Sequence, residues 1–297
     1  MCARLEVMMQ AFTYVAASQL ALGNVVHAFN RGFTGYYLPL TQTDESLRAM
    51  VLAYDISLEH SLVALDAAGE PVGLALLALR ASHGWVGAMG IAPEWRQRGQ
   101  GAALMAALIA HCRALSLEAL ELEVLEQNAP AHQLYRTLGF VETRPLRVYT
   151  GPLSVPAAGT TGEAIHPLNA RDALAYFTAW HPAPAPWQRD LPSLAHAADR
   201  LSALGLWEGP ALAAYLLFGM GVGGLAIQDA ASGAATPGAR SEQVARLIRA
   251  AVAGSPSVTL RAVNVPAGDA LGDALEALGC PVALRQREMT LDLRTPR

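Results

Sequence analysis

The sequence predicts a mixed α/β chain of two tandem domains, each an α+β mixed sheet, mostly antiparallel and flanked by helices. Three observations lead there. Apolar runs of strand length alternate with stretches of helical spacing. A Pro/Gly/Thr-rich segment, Pro152–Gly162, interrupts that patterning near the middle of the chain, and the order of elements after it repeats the order before it. The 297 residues are 53% hydrophobic with a mean hydropathy of +0.26, enough apolar material for more than one core. Read as a linker, the segment sets domains of 1–155 and 156–297.

The elements follow in order. Ala11 to Ala28 and Ser46 to Leu52 read as helices. Val72 to Arg80 follows the turn-like Ala68-Gly69-Glu70-Pro71, and Trp85 to Ile91 follows Ser82-His83-Gly84, so both read as buried strands of one hairpin. Leu104, Leu108, Cys112 and Leu115 then recur at helical spacing directly after a glycine-rich turn. Leu120 to Leu125 alternates as a strand, Pro130 to Thr137 is helical up to Gly139, and Val141 to Thr150 is a closing strand. The second half repeats the series: strands Ala211 to Phe218 and Leu225 to Ala230, helix Ser241 to Ala253, strand Val258 to Val263, helix Asp269 to Leu278, strand Val282 to Leu293. Within it, Ala211 to Ile227 is uncharged, but Gly219, Gly221, Gly223 and Gly224 divide it into two strands instead of one membrane-spanning helix.

Composition excludes several classes. Net charge is −4 and no block of like charges occurs, which argues against a nucleic-acid partner or a polybasic membrane anchor. All 21 basic residues are Arg, so Schiff-base chemistry and a lysine-dependent phosphate loop are out. Cys2, Cys112 and Cys280 are odd in number and far apart, and no paired-ligand spacing accompanies them, so neither a disulfide framework nor a metal site is expected. With Glu6 and Gln10 interrupting any apolar start, a signal peptide is not expected either, and the reading is a cytoplasmic protein with a small-molecule partner.

The stretch Met89-Gly90-Ile91-Ala92-Pro93-Glu94-Trp95-Arg96-Gln97-Arg98-Gly99-Gln100-Gly101-Ala102 carries the chemistry. A strand enters a turn in which Gly99 and Gly101 permit close approach, and a helix then starts with its free N–H groups pointing outward. Those amides, with Arg96 and Arg98, form an anion cradle suited to a pyrophosphate. A tight strand-to-helix turn without a ligand is the plain alternative.

Downstream stand Leu122-Glu123-Val124, Asn128, Ala131, Leu134-Tyr135 and Leu138-Gly139-Phe140. With the R-x-x-G-x-G turn, this N-x-x-A-x-x-L-Y-x-x-x-G-F series resembles the GCN5-related N-acetyltransferase (GNAT) family over roughly residues 70–150. The resemblance implies two tandem GNAT-like domains and acetyl-CoA held in a splay between two central strands. It implies that Met89, Gly90 and Ile91 bond the pantetheine arm, that Gln97, Arg98, Gly99, Gln100, Gly101 and Ala102 hold the pyrophosphate, and that Asn128 lies beside the cofactor.

Aminolysis of a thioester needs a neutral amine, a donor for the oxyanion and a proton for the departing thiolate. Tyr135, whose phenol has an ordinary pKa of ~10, suits the last task and is assigned as general acid, with simple packing as the alternative. In Leu120-Glu121-Leu122-Glu123-Val124-Leu125 the leucines and Val124 share one face, so Glu123 points to the other. Its spacing to Asn128 and Tyr135 is that of ribosomal-protein N-terminal acetyltransferases of the family, where this Glu is the base; a solvated edge, with ordered water as base, is the other reading. Phe29, Phe33, Tyr36 and Tyr37 fall at i, i+4, i+7 and i+8. Phe33, Tyr36 and Tyr37 are candidates for an acceptor wall, against core packing.

The second copy lacks the turn motif between Ala231 and Arg240, and Leu275 stands where Tyr135 stands in the first, so it is expected to be catalytically silent. Trp180 and Trp187 are expected to help complete the acceptor cleft. The expected function is transfer of an acetyl group from acetyl-CoA to a primary amine of a small molecule or peptide N-terminus, without a metal. A non-catalytic acyl-CoA binding or sensing protein is the alternative. The expected assembly is a monomer with an intramolecular pseudo-dimer, or a homodimer.

Overall fold

The computed structural model describes residues 12–153, 164–221, 223–253 and 258–294. The chain divides into two compact units. One comprises the residues up to Leu122, Pro130–Val141 and the residues from Thr290 onward; the other comprises Glu123–Ala129 and Glu142–Met289.

The first unit draws on β1 (Thr13–Ala16), α1 (Leu22–Gly32), α2 (Asp44–Tyr54), β2 (Ile56–Leu65), β3 (Pro71–Arg80), β4 (His83–Ile91), α3 (Gln100–Ala114), β5 (Ala119–Leu125) and α4 (Ala129–Thr137). Its strands lie in the order β1-β2-β3-β4-β5, antiparallel except for the parallel pair β4–β5. The first eight residues of β3, Pro71–Ala78, are all buried, as its unbroken apolar run requires of a strand covered on both faces. α1 packs on β3 and β4, and α3 on β2, β3 and β4 through Leu104, Met105, Leu108, Ile109 and Cys112. The helix expected over 11–28 is corrected: Thr13–Ala16, with its β-branched and aromatic residues, pairs with β2, and α1 starts only at Leu22. α2 contains the expected Ser46 to Leu52 and begins with a capping box between Thr43 and Ser46.

β2 was not evident from its sequence. A register shift between Ser57 and Leu62 breaks its alternation, and buried Ser61 repairs the ladder there: its hydroxyl donates to the Ser57 carbonyl at 2.6 Å and accepts from the Leu77 N–H at 2.9 Å.

The second unit draws on β6 (Val141–Leu153), β7 (Ile165–Leu168), α5 (Ala170–Leu174), α6 (Phe177–Trp180), α7 (Leu191–Ala197), β8 (Ser202–Glu208), β9 (Ala211–Gly221), β10 (Gly224–Ser232), α8 (Pro237–Ala251), β11 (Val258–Pro266), α9 (Ala270–Ala277) and β12 (Val282–Asp292). Its strands run β12-β6-β11-β10-β9-β8-β7, with β10–β11 parallel. The series β9, β10, α8, β11, α9, β12 repeats β3, β4, α3, β5, α4, β6. The uncharged run from Ala211 forms the hairpin β9–β10, and no helix among the described residues is long and apolar enough to cross a membrane.

The compact units follow the two copies except at the segment Glu123–Ala129 and at their last strands. β6, which ends the first copy, pairs antiparallel with β11, from Leu146↔Pro266 to Leu153↔Val258. The end of β12 lies with the first unit, where the Leu293 N–H donates to the Glu118 carbonyl at 2.8 Å. Of the expected linker, Pro152 and Leu153 are in β6, and 154–162 lie outside the described residues.

Candidate active site

β4 and β5 pair over three residues, His83↔Ala119 to Trp85↔Glu121. Just beyond, Leu77 faces Val86 and Leu76 faces Ala88, so Gly87 is the extra residue of a bulge. A Cβ at Gly87 would stand 2.7 Å from the Trp85 ring. A bulge bends its strand and sharpens the twist. Here it coincides with the end of the ladder, so Met89, Gly90 and Ile91 keep their β3 partners Ala75, Leu74 and Gly73 while the β5 ladder has stopped.

The chain leaves β4 through a 3-10 turn at Pro93–Trp95 and enters α3 from Gly99, which has φ +78°. Gln97 is also left-handed, at φ +58°. Left-handed residues in such turns swing N–H groups into anion-binding concavities. The N-cap Gly99 has no side chain to cap α3, and the Ala103 N–H donates to the Gly99 carbonyl at 3.0 Å. Gln97, Arg98 and Gly99 are exposed and Gln100 is buried. Arg98 lies over the Trp95 ring, 5.7 Å from its centroid. A Cβ on Gly101 would meet only the side-chain tips of Leu134 and Met89, at 3.7 and 3.9 Å. The protein itself therefore has room for a side chain at this helix start.

Arg96, expected on the phosphate, has another task. Its Nε donates to the Ile91 carbonyl at 2.8 Å, and its Nη2 donates to the carbonyls of Gly32 at 3.0 Å and Thr34 at 2.7 Å. It thereby ties the C-terminal end of α1 to the end of β4, consistent with a cation's preference for a helix C-terminus. Arg31 reinforces the join by pairing with Glu94 and donating to the Pro71 carbonyl at 3.0 Å. Nothing but nearby sequence suggested a ligand role for Arg96, and both Gly32 and Thr34 lie more than sixty residues upstream.

Tyr135 sits on α4, buried, with its hydroxyl 3.9 Å from Met89 Sδ and its ring 5.8 Å from that of Phe140. Burial pushes the phenol above its ordinary pKa, and the neighbouring Tyr36 adds to the rise, so Tyr135 holds its proton. The aromatic series is divided, because α1 ends at Gly32 and helical spacing does not extend past it. Phe33 is a correction: it is buried, stacked on Phe29 at 4.5 Å, and belongs to the core. Tyr36 is half-buried beside Tyr135, and Tyr37 is 49% exposed.

Glu123 and Asn128 fall in the segment Glu123–Ala129 that clusters with the second unit. Glu123 is half-buried on the face of β5 opposite Leu122 and Val124, as the alternation predicts. Asn128 is half-buried in the turn before α4, its N–H donating to the Leu125 carbonyl at 2.9 Å.

The second unit repeats the strand geometry but not the helix start. β10 and β11 pair over three residues, Leu225↔Leu260 to Ile227↔Ala262, and a bulge follows at Gln228. The start of α8 offers fewer free amides: Thr236 Oγ1 accepts the Ala239 N–H, and Pro237 has no N–H to offer. Asp269, the N-cap of α9, stands immediately before that helix as Asn128 stands before α4. Trp180 stacks on Tyr215 at 5.7 Å and Trp187 is buried within this unit.

The model of the acetyltransferase (GNAT) family matches residues 25–140. Among solved structures, the chain is similar to a GCN5-related N-acetyltransferase from Sphaerobacter thermophilus, with TM-score 0.69 and 13% identity over 96% of this chain and 97% of that one. It is also similar to a tandem GNAT protein from the clavulanic acid biosynthesis pathway, with TM-score 0.65 and 16% identity over 97% and 99%. A third, a GCN5-related N-acetyltransferase from Anabaena variabilis, gives TM-score 0.59 and 17% identity over 95% and 73%. At these identities the likeness is one of fold. No curated protein matches the chain.

Proposed function

With residues 25–140 a domain of the acetyltransferase (GNAT) family, we propose that the chain transfers an acetyl group from acetyl-CoA to a primary amine, at one site in its first copy. The observation that carries the reading is Tyr135: a buried phenol, kept protonated, with its oxygen 3.9 Å from Met89 Sδ where β4 has parted from β5.

Acetyl-CoA supplies an acetyl thioester. The N-terminal turn of α3, with the exposed Gln97, Arg98 and Gly99, is suited to its pyrophosphate, because its N-cap Gly99 has no side chain to cap the helix. The bulged end of β4 leaves backbone groups of Met89, Gly90 and Ile91 for the pantetheine arm. The amine nitrogen then attacks the thioester carbon; the new C–N bond forms, the C–S bond breaks, and Tyr135 gives its proton to the departing sulfur. The amine's surplus proton goes to a base. Glu123 is our candidate for it, and Asn128 for a further cofactor contact, both on their spacing from Tyr135 along the chain. Tyr36, beside Tyr135 and half-buried, is our candidate to meet the acceptor, with the exposed Tyr37 next to it in the chain.

An acceptor screen tests the reading. The whole chain is incubated with acetyl-CoA and a panel of small amines, aminoglycosides and short peptides, and free thiol is measured. Amine-dependent thiol release supports it. Saturable acetyl-CoA binding without release for any amine would favour a non-catalytic acyl-CoA sensor.

A further inference from the structure

The end of β10, the start of α9 and the proline-rich stretch after α6 enclose a cavity of about 150 Å³ within the second unit. Its wall holds an unusual amount of buried charge. Asp229 is buried and saturated: the Tyr215 hydroxyl donates to it at 2.7 Å, Arg189 Nη2 donates to it at 3.1 Å, and His181 Nε2 lies 3.3 Å away. Arg144 is likewise occupied by Glu288. Two other charged groups on the wall have no ion-pair partner among the described residues. Asp269 accepts the Leu271 N–H through Oδ1, and among the described residues its carboxyl has no further hydrogen-bond partner and no cation in ion-pair range. Arg240 donates only to the Ala234 carbonyl, and no carboxylate among the described residues pairs with it.

We propose that this cavity binds a small zwitterion, an α-amino acid, whose ammonium pairs with Asp269 and whose carboxylate pairs with Arg240. The argument has three parts. Leaving a part-buried carboxyl and a part-buried guanidinium without counter-charges is costly, and one ligand carrying both charges compensates both. A cavity of this size accepts about six to ten heavy atoms, which suits an amino acid and excludes a coenzyme A. Trp180 and the prolines of 182–186 supply an apolar wall for a small side chain, the usual complement to a few fixed polar groups in a ligand site. Burial, with Asp229 nearby, raises the Asp269 carboxyl pKa, and Arg189 and His181 offset only part of that rise. The site is independent of the acyl-transfer reading, because it lies in the other copy.

The test is calorimetric titration of the whole chain with L-alanine, L-serine and L-threonine, alongside ethylamine and propionate, which each keep one charge of alanine. At least one amino acid is expected to bind 1:1, about tenfold or more tighter than either single-charge analogue. Asp269→Asn, which keeps the helix cap, and Arg240→Gln should each weaken it by about tenfold or more and leave acetyl-CoA titration unchanged. No saturable amino-acid binding up to about 10 mM would overturn the proposal. So would propionate or ethylamine binding as tightly, or undiminished amino-acid binding in either folded variant.

Discussion

Gly32 and Gly90 lie back to back: a Cβ on Gly90 would stand 2.7 Å from the Gly32 carbonyl oxygen, and one on Gly32 would stand 3.0 Å from the Gly90 carbonyl carbon. The last residue of α1 thus rests directly on the free end of β4. Backbone cannot yield as a flexible side-chain tip can. Gly90→Ala should therefore cost about 1–3 kcal/mol of stability by overpacking, measured by urea denaturation. Gly101→Val should leave stability nearly unchanged and weaken acetyl-CoA binding more than about tenfold, since only the ligand fills the space before it.

The two arginines of the turn should separate in the same assays. Arg96→Gln removes three bonds from a charged donor to backbone carbonyls and should lower stability by about 1.5–3 kcal/mol. Arg98→Gln, at an exposed position over Trp95, should leave the denaturation midpoint in place and lower acetyl-CoA affinity, more so at low salt.

Much of this arrangement was readable from local pattern. The β3–β4 hairpin, α3 after its glycine turn, and the duplication all appear in residue spacing because each depends on neighbours in sequence. What could not be read depends on distant partners. β2 loses its alternation at a bulge that Ser61 repairs through Leu77, and the partner of Arg96 is the far end of α1. β6 reads as a strand, but apolar alternation does not say that it pairs with β11. The start of α8 did carry a missed signal, Thr236-Pro237, an N-cap followed by proline at the first helical position. His181, Arg189 and Asp229 meet across a proline-rich stretch that reads as loop, so their cluster left no periodic trace.

That cluster should dominate the stability of the second unit. Burial works to raise the Asp229 carboxyl, but His181, Arg189 and Tyr215 outweigh it and hold the pKa below its ordinary value. Asp229→Asn leaves Arg189 and His181 buried without their counter-charge and should cost about 3–5 kcal/mol at neutral pH. A carboxyl with a lowered folded-state pKa contributes fully above its unfolded value of ~3.9 and loses that contribution as pH falls through the folded value. The gap between wild type and variant in denaturation experiments should accordingly narrow below about pH 4.

Acetyl-CoA should bind once per chain. In the first copy the α3 N-cap is Gly99, which has no side chain to cap the helix, whereas Thr236 caps α8 and Pro237 lacks an N–H there. Equilibrium titration is expected to give a stoichiometry of one; two sites of similar affinity would show that the second copy retains a cofactor cradle.

The measurement that bears most directly on the account is single-turnover acetyl transfer by Tyr135→Phe, using an acceptor found by the thiol-release screen, with acetyl-CoA affinity measured on the same protein. Removing the phenol oxygen leaves the buried ring in place, so binding should be unchanged while the rate of thiol release falls by ~10²-fold or more. Thiol release at the wild-type rate would contradict Tyr135 as the proton donor and, with it, the site proposed for the first copy.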